Sequence, residues 1–497
     1  MIKSNGGIIG PDNVTTGGFN GVASGVFKLG EVTDLIRQSK WPEPSPFTNT
    51  VPNSVRFNSG SSDYLTKSFS TTGNRQKFTL SMWIKRGIVP VGNQSGTERM
   101  LFQAYQDSSN QDQIWLQSNG TINYVRNDAN AVTPSQVLRD PSAWYHLVFA
   151  GDTTQGSNAN RLKVYVNGTQ APIGQGDTIA QNSNFGAINN AQSYTFGKRN
   201  SNDWYFDGSM SHIHMVDGTA YPASTFGSVD SVTGEWKINT SPSVTYGNNG
   251  FFILKDGNSV TDQSGKNNNF SVGGSTLTAT KDCPSNVFAT WNPLVNNAGE
   301  MMLLSNGNTS CQSNAAQGNS WKLAASTLGM TSGKYYWEAK LVNTNNNLYH
   351  GVMGSNVFQA NASNPMNATG FTGWNNGDGG EILKDGNNTS ANYGTLADND
   401  ILGVALNADD YTISIYKNGS ALVSNFTLST TGRDILYPCS VAYNTNNTGI
   451  PQSSYNFGNP AYALTSAVAD ANGLGNFEYA PPTGYFSLCT NNLNVLE

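Results

Sequence analysis

Charge is what this chain of 497 residues is short of: Asp, Glu, Lys and Arg together make up 12% of it, about half the usual share for a soluble domain. With 27 basic against 33 acidic side chains the net charge is −6, and no run of Lys or Arg stands out. A phosphate backbone needs a basic footprint, so nucleic acid is not expected as a partner. Cysteine is scarce too. Cys283, Cys311, Cys439 and Cys489 form no Cys-x-x-Cys pair and no Cys/His cluster of zinc spacing, and they read as small buried hydrophobes. No stretch approaches the roughly 18 apolar residues of a spanning helix, so no membrane insertion is expected. The opening Met1-Ile-Lys-Ser-Asn-Gly-Gly lacks the apolar core of a signal peptide, which points to synthesis in a cytosol.

Neutral polar residues fill the gap left by charge. There are 53 glycines, beside abundant Asn, Ser and Thr, and aromatics reach 11%. Asn and Gly tolerate left-handed backbone, and Ser and Thr bond locally, so the composition favours turns and short strands. The aromatics supply cores. The fold class expected is all-β.

Residues 1–50 read as an arm. Glycines interrupt it, and the one periodic stretch, with Val26, Leu29, Val32 and Leu35 on one face, predicts a short helix ended by Trp41-Pro42. So small an element cannot fold alone, so the arm must dock on its own chain or on a partner. From residue 51 the pattern is strands. In Phe78-Thr-Leu-Ser-Met-Trp-Ile-Lys, the residues Phe78, Leu80, Met82 and Ile84 face one way. Asn167-Gly168 and Asn418-Gly419 each follow an alternating strand and predict hairpin turns.

Four segments taken in order, Phe78–Lys85, Trp144–Val148, Leu162–Gly168 and Phe206–Ile213, resemble the strands of a laminin-G-like (concanavalin A-like) jelly roll. Asp262-Gln-Ser-Gly-Lys-Asn-Asn-Asn-Phe270 resembles an element that closes such sandwiches in many phage proteins. Asp282-Cys-Pro-Ser-Asn-Val-Phe-Ala-Thr-Trp-Asn-Pro-Leu294 resembles a connector between modules of marine-phage fibre proteins. Further on, Tyr335–Leu341, His350–Gly354, Asp400–Leu406, Tyr411–Gly419 and Leu436–Val441 resemble, in order, the signature segments of SPRY domains. The end of the chain resembles the tail that follows such modules in phage structural proteins. These resemblances imply two concanavalin A-like sandwiches in tandem, with an arm at 1–50, a laminin-G-like domain at 51–282, a SPRY-like domain at 283–462, and a tail at 463–497 covering the sandwich as an edge strand. They also imply a virion structural protein, a tail or head fibre or adhesin. In that reading it is held to other virion proteins by residues 1–50, homo-oligomeric with a trimer favoured, and turned toward a host-surface glycan or protein. A capsid decoration or tail adaptor is the second reading, and a polysaccharide depolymerase the third.

Retaining glycoside hydrolases carry two carboxylates about 5 Å apart. Glu338 has no acidic neighbour at i+2 or i+4 and reads as a solvent-facing strand residue; Glu300 and Glu381 stand alone in loop-like sequence. No enzyme is therefore expected. His212 and His214 share a strand face, but a metal would need a third ligand from elsewhere. No cofactor is expected, apart from a calcium ion that the laminin-G resemblance allows at Asp107, Asp112 and Asp128. For ligand binding the candidate is the loop-like stretch around Trp374, where an aromatic face lies beside Asn375, Asn376 and Asp378, with Tyr349 and Tyr393 near. Such sets stack on sugar rings and bond their hydroxyls.

Overall fold

The computed structural model describes four short strands within residues 1–50 and residues 51–496 outside a few internal stretches, the longest being 88–97, 296–301, 314–319, 357–363 and 444–449. The chain divides into a unit Met1–Thr50 and a unit Val51–Glu497. In the first, Ile8–Ile9 pairs with Val26–Phe27 and Val14–Thr15 with Val22–Ala23, each antiparallel. Val26 is thus in a strand and not in the expected helix; Leu29, Val32 and Leu35 lie outside the described residues.

The second unit is two sandwiches. In the first sandwich one sheet runs Ile173–Gly176, Ala129–Pro134, Ile122–Arg126, Asn110–Leu116, Arg99–Asp107, Ser193–Phe196, Tyr64–Ser68, Ser271–Gly273. The facing sheet is centred on Lys77–Arg86, which pairs with Tyr145–Asp152 on one side and Gly208–Asp217 on the other. Phe78, Leu80, Met82 and Ile84 all enter the core between the sheets, as their alternation requires. The two predicted turns form, with Asn167, Gly168, Asn418 and Gly419 all at positive φ.

In the second sandwich a sheet centred on Lys334–Asn343 and Ile401–Asn407 faces one of Trp321–Ala325, Leu436–Tyr443, Leu348–Gly354, Phe371–Asn375, Ile382–Lys384 and Asn387–Asn388. The tail does pack back on the sandwich, but not at an edge. Phe486–Ser487 lies parallel to Tyr335–Tyr336 inside the sheet, beside the end of the strand that Gln452–Asn456 leaves unpaired.

The two sandwiches are riveted by polar groups. Arg56, 3% exposed, donates from Nη1 to the Asn459 carbonyl at 3.3 Å and from Nη2 to that of Pro460. Lys85 reaches Asp282 at 2.6 Å and the Phe288 carbonyl at 3.2 Å, and Trp144 donates to the other Asp282 oxygen at 3.1 Å. From the second sandwich the turn Asn306-Gly307-Asn308 inserts: Gly307 N–H donates to Asp207 at 2.8 Å, and Asn308 to the Gly87 carbonyl at 3.0 Å. Gly307 sits at φ +63°, where a Cβ would meet Arg56 Cδ at 2.8 Å, so both backbone and space require glycine. The stretch 282–291 is therefore a joint, with Asp282 anchored in one sandwich and Trp291 in the core of the other.

Candidate functional site

The structure buries three of the six expected ligand residues. Phe371–Asn375 is a strand and not a loop, and Trp374, 1% exposed, lies in the core of the second sandwich with its ring stacked on His350 at 6.4 Å. It offers no face to a sugar. Asn375 and Asn376 are buried and occupied: Asn375 Oδ1 accepts from Gly377 N–H at 3.0 Å, and Asn376 Oδ1 from Leu396 N–H at 2.7 Å. Tyr393 packs half-buried against the core, and Asp378 lies outside the described residues. Tyr349 is separated from these. It sits on the outer face of the same sheet, edge-on to Trp321 at 5.8 Å.

The carboxylates are likewise spoken for. Glu338 is fully buried, a correction of the solvent-facing expectation. Its Oε1 accepts from Tyr479 N–H at 2.8 Å and Tyr336 Oη at 3.3 Å; its Oε2 accepts from Asn456 at 3.0 Å, Glu478 N–H at 3.0 Å and Tyr462 Oη at 3.1 Å. Burial pushes its pKa up against those donors. Glu381 is bound by Asn388, and Glu300 lies outside the described residues. Of the calcium candidates, Asp112 is an internal staple. It accepts from Tyr124 Oη at 2.6 Å and from the backbone N–H groups of Gly186, Ala187 and Ile188 at 3.2, 2.6 and 2.7 Å. Asp107 caps its own turn, accepting from Ser109 N–H at 2.9 Å, and Asp128 is bonded by Gln111. Among the described residues no three His, Cys, Asp or Glu side chains come together as a metal site.

His212 and His214 are both buried, each with a partner: Ser211 Oγ at 2.9 Å and Tyr246 Oη at 2.8 Å. A β-bulge separates them, with His212 at φ +46°. All four cysteines are free and buried.

A polar row the sequence did not single out lies on the side of the first sandwich's sheet away from the core, with Gln103, Gln113 and Asn123 all buried. Because Tyr194, Phe196, Ile114 and Tyr124 point into the core, their strand neighbours point out. Thr195, Gln103, Gln113 and Val125 lie in register across four strands. One step along, Trp115 pairs with Asn123, whose amide oxygen accepts from Thr133 at 2.7 Å. The segment after Ser193–Phe196 walls this face. Asn200 N–H donates to Gln103 Oε1 at 2.6 Å, and the Trp204 ring meets Trp115 at 5.4 Å. Arg199 stacks on Trp204 at 3.8 Å and pairs with Asp203 at 2.5 Å. The sequence signal was slight: Gln111, Gln113 and Trp115 at alternate positions of Asn110-Gln-Asp-Gln-Ile-Trp-Leu116.

Residues 58–224 match the model of Laminin_G_3, the concanavalin A-like lectin/glucanases superfamily, and residues 334–451 match the SPRY domain. The chain thus carries two domains of these kinds in tandem, in a nearly all-β fold. It is similar to the SPRY domain of human HERC1 (18% identity, 33% of this chain and 96% of that one, TM-score 0.26). It is similar also to a heptameric SAP-like pentraxin of Limulus polyphemus (12%, 47% and 96%, TM-score 0.31) and to a candidate carbohydrate-binding protein of Bacteroides ovatus (13%, 46% and 59%, TM-score 0.30). A search of the curated proteins finds no match.

Proposed function

We propose that the chain is a non-catalytic binding protein of a phage particle, a fibre or adhesin. In this reading residues 1–50 attach it to other virion proteins, and the sandwiches present a lectin-type surface to a host-surface glycan or protein. One observation carries the binding part: a domain of the concanavalin A-like lectin class is fused to a SPRY domain through a buried polar joint. The isolation of Glu338, which spends both oxygens on five protein donors, supports the non-catalytic part. The phage context rests on the likeness of the tail, and of two segments before it, to those of phage proteins. Both segments have structural work here: Asp262 caps its own loop, taking Ser264 N–H at 2.8 Å and Asn268 N–H at 2.9 Å, and Asp282 anchors the joint.

Antibody against residues 51–497, applied to particles from a lysate of the producing host, should decorate them at fixed positions. Deleting residues 1–45 should abolish decoration while the remaining chain still folds. Bare particles beside abundant free full-length protein would sink the virion reading.

A further inference from the structure

We infer that residues 219–246 are an acid-released cover: they lie closed over the outer face of one sheet of the first sandwich and lift from it when two histidines beneath them take up protons. The inference holds whatever the chain binds.

The cover has little stability of its own. Its strands Gly227–Val229 and Trp236–Ile238 form an isolated antiparallel pair, of a size that does not persist alone in water. What holds it is the sheet centred on Lys77–Arg86. Ala223, Phe226 and Trp236 of the cover gather with Val148 and Val216 of that sheet in an apolar cluster separate from the sandwich core. The ends of the cover are tied to the strands. Thr79 Oγ1 donates to the Thr219 carbonyl at 2.8 Å and accepts from Tyr221 N–H at 2.7 Å, and Asp217 N–H donates to the Tyr246 carbonyl at 2.8 Å. Its middle is anchored by the Trp236 indole, which donates to Nδ1 of His146 at 3.0 Å.

That anchor works in one protonation state. An indole N–H donates and cannot accept, whereas an imidazolium donates from both nitrogens. A proton on His146 Nδ1 therefore sets two donors against each other, while Nε2 keeps Ser81 Oγ at 2.8 Å. His214 supplies the second charge. Its ring stacks on Phe252 at 3.9 Å, meets Phe226 of the cover at 5.3 Å and bonds Tyr246 Oη at 2.8 Å, a hydroxyl that suits either state. The surrounding charges give no relief. His212 lies 6.5 Å from His214, and Lys255 acts on His212 with like charge. Asp262 acts on Tyr246, but its oxygens accept from the N–H groups of Phe252, Ser264 and Asn268. Within the cover Asp230 is paired with Lys237 at 3.0 Å, and Glu235 is exposed. Three of the chain's four histidines thus lie together. Among the described residues their hydrogen-bond partners are hydroxyls and an indole, with no carboxylate to balance a proton.

The sign follows from burial, which lowers the pKa of His146 and His214 while the cover is closed. Lifting the cover returns both toward 6.5. Below that value the open form binds more protons, so the cover is fully held above about pH 6.5 and released as pH falls. Each histidine favours the open form about tenfold per pH unit, the two together about a hundredfold.

Hydrogen exchange of the full chain, followed by mass spectrometry from about pH 7.5 to about 4.5 and corrected for the intrinsic rate at each pH, reads this release. Protection in residues 222–245 should fall with a limiting slope of about two decades per pH unit, while Lys77–Arg86 keeps its protection. His146→Gln and His214→Gln each remove one titrating ring, and each should bring the slope to about one decade. A folding defect in one variant leaves the other, and the wild-type slope needs neither. Protection in 222–245 that does not change with pH would overturn the inference. So would loss in Lys77–Arg86 in step with the cover, because acid would then be unfolding the whole sandwich. Folded variants that both keep the wild-type slope would overturn the assignment of release to these two histidines.

Discussion

His146 shows how much of this chemistry is internal. Its ring lies between Trp83 at 4.9 Å and Trp236 at 5.9 Å. Trp236 Nε1–H donates to Nδ1 at 3.0 Å, which fixes the neutral tautomer with its proton on Nε2, 2.8 Å from Ser81 Oγ. Burial lowers the pKa of His146 and of His212 to about 3, and that of His214 is lowered too. In the unfolded chain each titrates near 6.5. Between those values the unfolded state binds more protons, so stability is full above about pH 6.5 and falls as pH drops toward 3. The buried carboxyls Asp112, Asp207 and Glu338, whose pKa is raised, act with the opposite sign: their contribution is lost as pH rises through their folded values. The melting temperature should therefore decline from about pH 6.5 downward. His146→Gln, which keeps hydrogen-bonding groups and cannot titrate, should show a shallower decline over that range. Parallel curves for the two proteins would mean that His146 does not set the acid limb.

At the scale of elements, Glu338 explains how the tail is held. The backbone N–H groups of Glu478 and Tyr479 and the hydroxyl of Tyr462 all end on its carboxylate, and Phe477 packs on Tyr336 next to it at 5.2 Å. Glu338→Ala removes the acceptor and leaves several enclosed donors unmet. The expected loss is on the order of 3 kcal/mol or more, and residues 460–485 should become sensitive to brief proteolysis while the sandwiches resist. A variant that resists protease as wild type does would show that the tail is held by packing alone. The strand around Glu338 was legible in the sequence, because Tyr335, Trp337, Ala339 and Leu341 alternate and do enter the core. That its outer face is covered was not, since the cover comes from residues about 140 positions away. Phe371–Asn375 failed for a different reason. Trp374 and buried Thr372 point in, while Phe371 joins an apolar cluster outside and Gly373 lies between them. With an apolar side chain on each face the period-2 signal cancels, and a strand reads as a loop. The Gln103–Trp115 face was hidden likewise, as it takes shape only when separate strands come into register.

The whole second unit turns on whether its sandwiches act as one body. The joint is built of charge and amides where an ordinary interdomain surface is exposed and mobile. Lys85 and Asp282 are each about 5% exposed at a separation of 2.6 Å, so their attraction is little screened by salt. Burial lowers the Arg56 pKa to about 10, with Asp282 and Asp207 acting to raise it, so the guanidinium stays charged at neutral pH. Such a pair adds modest net stability when intact, but losing one partner strands the other, at about 3–5 kcal/mol. Asp282→Ala removes the partner of Lys85 and the acceptor of Trp144 together. Residues 51–497 should unfold in one calorimetric transition as wild type. Asp282→Ala should split it in two, the loss falling on coupling between sandwiches that each keep a complete core. Two independent transitions in wild type would show that the joint couples nothing. A single transition in the variant, merely lowered, would mean that apolar contacts around Phe288 and Trp291 carry the coupling and that Asp282 serves only to place the connector.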